Sequence, residues 1–134
     1  MPHLNLHCID PLYPMLTLQV SDNQEQKSIQ ITALIDTGFD SYLMIPAKIA
    51  KELNLEIIKE TNIELATGYQ EVCQLAAGKV FLPDFWDGCF ELEIILTDDD
   101  NECLVCGKML QAMCKVFAID YSRSQLQFKS IKTK

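Results

Sequence analysis

The stretch Ile29-Gln-Ile-Thr-Ala-Leu-Ile-Asp-Thr-Gly38 decides how this chain is read. Ile29, Ile31, Ala33 and Ile35 alternate with their neighbours, then Leu34-Ile35 closes the run on Asp36-Thr-Gly38. A period of two lays one face of a strand on a core, and Asp and Gly are turn residues. A strand therefore runs directly into a tight turn. Upstream, Leu16, Leu18 and Val20 alternate with Thr17 and Gln19, and the polar stretch 21–28 links them to Ile29. Two such runs around a polar loop predict a β-hairpin.

Downstream, Ser41-Tyr-Leu-Met-Ile45 leads to Pro46, which suits the first turn of a helix. Ile49, Ala50 and Leu53 give that helix, near 46–53, one buried stripe. Ile57 to Leu65 and Tyr69 to Ala77 read as two strands joined at Ala66-Thr-Gly68, a hairpin expected to project. Val80 to Leu82 and Cys89 to Leu96 add strand before the acidic turn Thr97 to Glu102. Cys103-Leu-Val-Cys106 is apolar and stops at Gly107, after which Met109, Leu110, Met113 and Cys114 recur at helical intervals. A second short helix is expected near 108–114. Val116 to Tyr121 and Gln125 to Phe128 flank Ser122-Arg-Ser124 as a closing hairpin. An apolar strand, a Gly turn and a short helix thus occur twice, at Ala33 to Leu53 and at Cys103 to Cys114.

A length of 134 residues predicts one domain, 1–134, with its core at about 15–131. The composition, 49% hydrophobic and 22% charged, is that of a globular protein and excludes disorder and coiled coil. With a net charge of −8 and no basic run beyond Lys129 to Lys134, the chain lacks the clustered cations that track nucleic-acid phosphates. No window approaches the ~18 apolar residues of a membrane span. The first eight residues, Met1 to Cys8, lack a charged segment followed by an apolar one, so the expected location is cytoplasmic. Six cysteines at irregular spacing then read as buried thiols rather than a disulfide framework.

As a bare tripeptide, Asp36-Thr37-Gly38 is a turn. In its context the order of elements resembles the retropepsin-like aspartic peptidases, particularly small single-domain prokaryotic forms. The resemblance covers roughly residues 15 to 130 and is concentrated in Leu34-Ile-Asp-Thr-Gly38, with a weaker echo in Leu104-Val-Cys-Gly107. It implies a mainly β fold: a small closed barrel with two short helices and a flap hairpin. It also implies a homodimer, because this chain has one Asp-Thr-Gly motif where the site requires two. Asp36 of each copy would be the catalytic acid, Thr37 would brace the facing loops, and Gly38 would let backbone amides approach the carboxylate.

By the same resemblance, Ala66, Thr67, Gly68 and Tyr69 form the flap over a peptide, and Val105, Cys106 and Gly107 form the second Gly turn. Phe39 and Asp40 follow the motif on the substrate side. Phe39 stands where the family has a small residue, and Asp40 by itself reads as a cap or a solvent-facing acid. Cys106 and Lys108 replace an aliphatic residue and an arginine around Gly107. These departures suit an alternative: a catalytically inactive dimerisation or peptide-binding module.

Metal chemistry has two candidate sets. Cys103-x-x-Cys106 has dithiol spacing, with Cys73, Cys89 and Cys114 as further thiols, but i and i+3 lie on opposite faces of a strand. His3 and His7 would share a face only in a helix, and Pro2 and Pro11 favour a frayed or extended terminus. The expectation is no metal and no cofactor. Asp120 reads as the start of the last turn, and Phe81, Phe85 and Trp86 as aromatic packing.

Overall fold

The computed structural model describes residues 2–64, 66–85 and 89–132. Leu65 at the end of a predicted strand, Trp86 of the aromatic cluster, and the last two residues of the basic C-terminal run lie outside them. Three strands come first: β1 (Leu4–His7), β2 (Met15–Ser21) and β3 (Ser28–Asp36). The chain continues through β4 (Leu43–Pro46), helix α1 (Ala47–Glu52), β5 (Glu56–Glu64), β6 (Gln70–Phe81) and β7 (Cys89–Thr97). It ends with β8 (Leu104–Cys106), helix α2 (Gly107–Met113), β9 (Cys114–Asp120) and β10 (Gln125–Ile131).

Six strands close into a barrel in the order β2-β3-β8-β4-β7-β6, and β6 returns to pair with β2. Closure satisfies the backbone groups that an open edge would leave unpaired. It depends on the length of β6. Gln70–Ala77 pairs with β5, outside the barrel, and Lys79–Phe81 pairs with β2. Gly78 sits at the changeover, where a Cβ would lie 2.9 Å from the Ile94 side chain and 3.2 Å from the Ser21 carbonyl oxygen. Residues 80 to 82, expected as a separate strand, are in fact largely the end of β6, which runs unbroken through this glycine to Phe81.

The alternating residues behave as their period requires. Leu16, Leu18 and Val20 of β2 and Ile31, Ala33 and Ile35 of β3 are all buried. Each large aliphatic side chain so removed from water contributes about 1.5–3 kcal/mol before entropy is set against it. Pro46 caps α1 from outside rather than lying in it, and α1 ends at Glu52 with Leu53 as its cap; Asn54, with a φ of +55°, then turns the chain so that Leu55 N–H reaches the Ala50 carbonyl at 3.0 Å. A second sheet, β1-β10-β9, packs against the barrel, with Phe128 fully buried between Phe85 and Phe117. The extended N-terminal segment is β1, held by β10 with Leu4 opposite Phe128. This pairing carries ordered structure upstream of residue 15 and keeps His3 and His7 off any helix.

The pairing that builds the site is parallel. Leu34, Ile35 and Asp36 of β3 lie beside Leu104, Val105 and Cys106 of β8. The two apolar strands that end in Gly turns therefore end side by side, Asp36 against Cys106. A small apolar cluster of Met44, Ile63, Cys73, Leu75, Ile95, Leu104 and Cys106, with Leu34 and Phe39 packed on it, connects this point to the base of the β5–β6 hairpin.

Candidate active site

Asp36 is the last residue of β3, and its own side chain starts the turn: Gly38 N–H donates to Asp36 Oδ1 at 3.1 Å. The rest of the turn is tied to β8 and α2. Ser41 and Gly107 both donate their N–H to the Phe39 carbonyl at 3.0 Å. Cys106 N–H reaches the Tyr42 carbonyl at 2.9 Å, and Lys108 N–H the Ser41 carbonyl at 3.0 Å. Gly107 is needed at this crossing, because a Cβ there would be 3.0 Å from the Thr37 carbonyl oxygen.

Above the turn is an open cleft of about 800 Å³. Asp36, Gly38, Phe39 and Asp40 line one side. The β5–β6 hairpin supplies Asn62, Ile63, Glu64 and Ala66, and the segment entering β8 supplies Glu102 and Leu104. Asp36 is half-buried, while Thr37 and Gly38 are exposed. Thr37 lies on a separate groove of about 450 Å³ that it shares with Gly107, Lys115, Phe117 and Lys132.

Of the residues singled out by sequence, Asp36, Gly38, Phe39, Asp40 and Ala66 meet at one cleft. Thr67, Gly68 and Tyr69 are exposed at the hairpin tip, where Gly68 takes φ +86°. Val105 and Cys106 are buried behind the turn, and Gly107 braces it. Asp40 projects into solvent and pairs with Lys108 at 3.6 Å. Asp120 organises the last turn, accepting from Ser122 Oγ at 2.7 Å and Arg123 N–H at 3.1 Å; these bonds hold its carboxyl below its usual range.

Asn62, Ile63, Glu64 and Glu102 carry no role in the sequence reading, and Leu104 enters it only as the first residue of the weaker Leu104-Val-Cys-Gly107 echo. The β5 period puts Ile63 on an inner face, but Glu102 carries no local signal, being one acid of an acidic turn.

Burial raises the Glu102 carboxyl above its ordinary range, and Asp99, Glu71 and Asp36 raise it further. Burial, then Asp36 and Glu102, push the Cys106 thiol up to about 12. That thiol stays protonated at neutral pH and its sulfur lies 3.8 Å from the Leu104 carbonyl oxygen. Among the described residues no three His, Cys, Asp or Glu are grouped so as to hold a metal ion, and no helix is long and apolar enough to cross a membrane.

No family model matches the sequence, and no curated protein matches it. Among solved structures, the crystal structure of a retropepsin-like aspartic protease from Rickettsia conorii is similar over 98% of this chain and 94% of its own, with a TM-score of 0.60 and 14% sequence identity. Closed six-strand barrel, paired Gly turns and two short helices together make this the retropepsin-like fold.

Proposed function

We propose that the chain is an aspartic endopeptidase that acts as a homodimer, one Asp36 coming from each copy. The observation that carries this reading is the position of Asp36. It stands at the floor of a cleft overhung by a β-hairpin, while the adjoining Thr37 and Gly38 are exposed, as a turn awaiting its symmetry mate requires. The likeness to an aspartic protease supports the reading through fold alone.

Two carboxylates about 3 Å apart cannot both ionise, so the pair holds one proton. The ionised Asp36 takes a proton from a water, whose oxygen attacks the scissile carbonyl carbon. The protonated Asp36 gives its proton to the carbonyl oxygen, forming a neutral tetrahedral diol. Collapse of the diol breaks the C–N bond, with a proton passing to the leaving nitrogen, and restores the singly protonated pair. The Gly38 N–H, 3.1 Å from Oδ1, fixes the orientation of the Asp36 side chain.

Asp36→Asn is expected to abolish turnover of a peptide library between pH 3 and 7 while leaving the dimer folded. Activity per chain is expected to vanish on dilution below the dimer dissociation constant, since each monomer holds half a site. Constant activity per chain at such dilution, or full activity in Asp36→Asn, would refute the mechanism. Peptide binding without cleavage by the wild type would instead favour a binding module.

A further inference from the structure

Four carboxylates line the cleft, from Asp36, Asp40, Glu64 and Glu102, and no Lys, Arg or His stands among the described residues lining it. They are not equivalent. Asp36 has its oxygen engaged by Gly38 and is reserved for chemistry. Asp40 already has a cation, Lys108. Glu64 and Glu102 have no ion pair with any described residue, and they reach the cleft from different elements, Glu64 from the hairpin and Glu102 from the segment before β8.

Glu102 is the more constrained. Its N–H donates to the Asp99 carbonyl at 3.2 Å, which fixes the backbone that carries it. It is partly withdrawn from water, and the charges that act on it are all negative. Besides the carboxylates, Gly38, Asn62 and Ala66, the lining offers three large apolar side chains, Phe39, Ile63 and Leu104. An apolar wall leading to an unpaired carboxylate fits a side chain with a long aliphatic stem and a cationic end.

We infer that the cleft selects peptides with Lys or Arg beside the scissile bond, and that Glu102, assisted by Glu64, is the residue that determines this preference. The inference rests on the cleft being the peptide site. The aliphatic stem lies along Phe39, Ile63 and Leu104, and the ammonium or guanidinium supplies the counter-charge that no described residue gives Glu64 or Glu102. An acidic side chain at the same position meets like charge and is rejected.

The test uses the full-length wild-type protein and three peptides differing at one residue next to the scissile bond: Lys, norleucine or Glu. Wild type is expected to cleave the Lys peptide with a kcat/KM about tenfold above the norleucine peptide, the scale of one charge-assisted contact, and to reject the Glu peptide. Glu102→Gln should bring the Lys to norleucine ratio close to one. Glu102→Lys should reverse the order and favour the Glu peptide. Cleavage without a basic preference, or a preference unchanged in both variants, overturns the inference while leaving the peptidase reading intact.

If none of the three peptides is cleaved, the selectivity is decided by binding, and the peptidase reading is decided separately by the peptide library. Fluorescence anisotropy of the same peptides, labelled, should show about tenfold tighter binding of the Lys peptide, lost in Glu102→Gln. Equal binding of the Lys and norleucine peptides overturns the inference.

Discussion

Replacing Gly107 with alanine adds one methyl group 3.0 Å from the Thr37 carbonyl oxygen and 3.4 Å from that of Phe39. Ordinary contact begins near 3.4 Å, so the Thr37 carbonyl has to retreat by about 0.4 Å. Two effects favour the substitution: alanine is a better helix former at the start of α2, and it restricts the unfolded chain, together about 1 kcal/mol. One opposes it, the overpacking of a tight crossing, about 1–3 kcal/mol. The opposing effect wins if the turn cannot yield, and it is fastened on both sides. The Phe39 carbonyl holds two N–H groups, Cys106 holds Tyr42, and Lys108 holds Ser41. The expected net loss is about 1 kcal/mol, a fall of about 4 °C in Tm. In the proposed homodimer the displaced turn is the one that carries Asp36 in each copy, so both halves of the proposed pair would move and kcat is expected to fall about tenfold or more, because errors of about 1 Å in a catalytic group cost about a hundredfold. Thermal melts and steady-state kinetics on the purified variant measure the two effects. A Gly107→Ala protein that melts no lower than wild type and keeps its turnover would refute the bracing of the turn by Gly107.

Phe128 is fully buried, edge-on to Phe85 with centroids 4.8 Å apart, so Phe128→Ala is expected to cost about 3–5 kcal/mol in urea unfolding; a loss under about 1 kcal/mol would contradict the packing. Glu102 binds its proton more tightly in the folded chain than in the unfolded one, so stability associated with it is present at low pH and lost as pH rises through the raised folded value. Glu102→Gln should therefore unfold at higher urea than wild type at pH 7. The gap should close well below the ordinary glutamate value of 4.5, and a wild type equal or superior at pH 7 would contradict the reading. Cys106, buried and with its thiol pushed up to about 12, should remain unalkylated by iodoacetamide at pH 7 in the native protein, while half-buried Cys89 and Cys103 react first. Mass spectrometry of the digest reads this out, and early modification of Cys106 would show that β8 opens readily.

What the sequence disclosed was local. The alternation of Leu16 to Val20 and Ile29 to Ile35, and the turn chemistry of Asp36 to Gly38, depend on neighbours a few positions away, and the structure keeps them. The parts that escaped depend on distant partners. Leu4 to His7 alternates as plainly as β2, yet its strand exists because Gln125 to Phe128 lies beside it, across nearly the whole chain. Gly78 reads as a break, but its missing Cβ is what lets β6 pass close to Ser21 and Ile94 without interruption. Glu102 looks like one of several acids in a solvated turn, and only the parallel seating of β8 on β3 carries it to the cleft. The candidate site was thus half legible: the turn that holds Asp36 is a local fact, and the walls around it are not.

The parallel seating of β8 on β3 also fixes when the site can exist during synthesis. Leu34 pairs with Leu104 about seventy positions later, with most of the barrel between them. At roughly 5–20 residues per second, a nascent chain carries Asp36 for several seconds before its bracing strand has been made, and the Gly107 that holds the turn comes later still. Through that interval the loop has no fixed shape and no cleft. If the chain is the peptidase proposed above, its acid is translated early and the geometry that acid needs is completed only by the last third of the polypeptide.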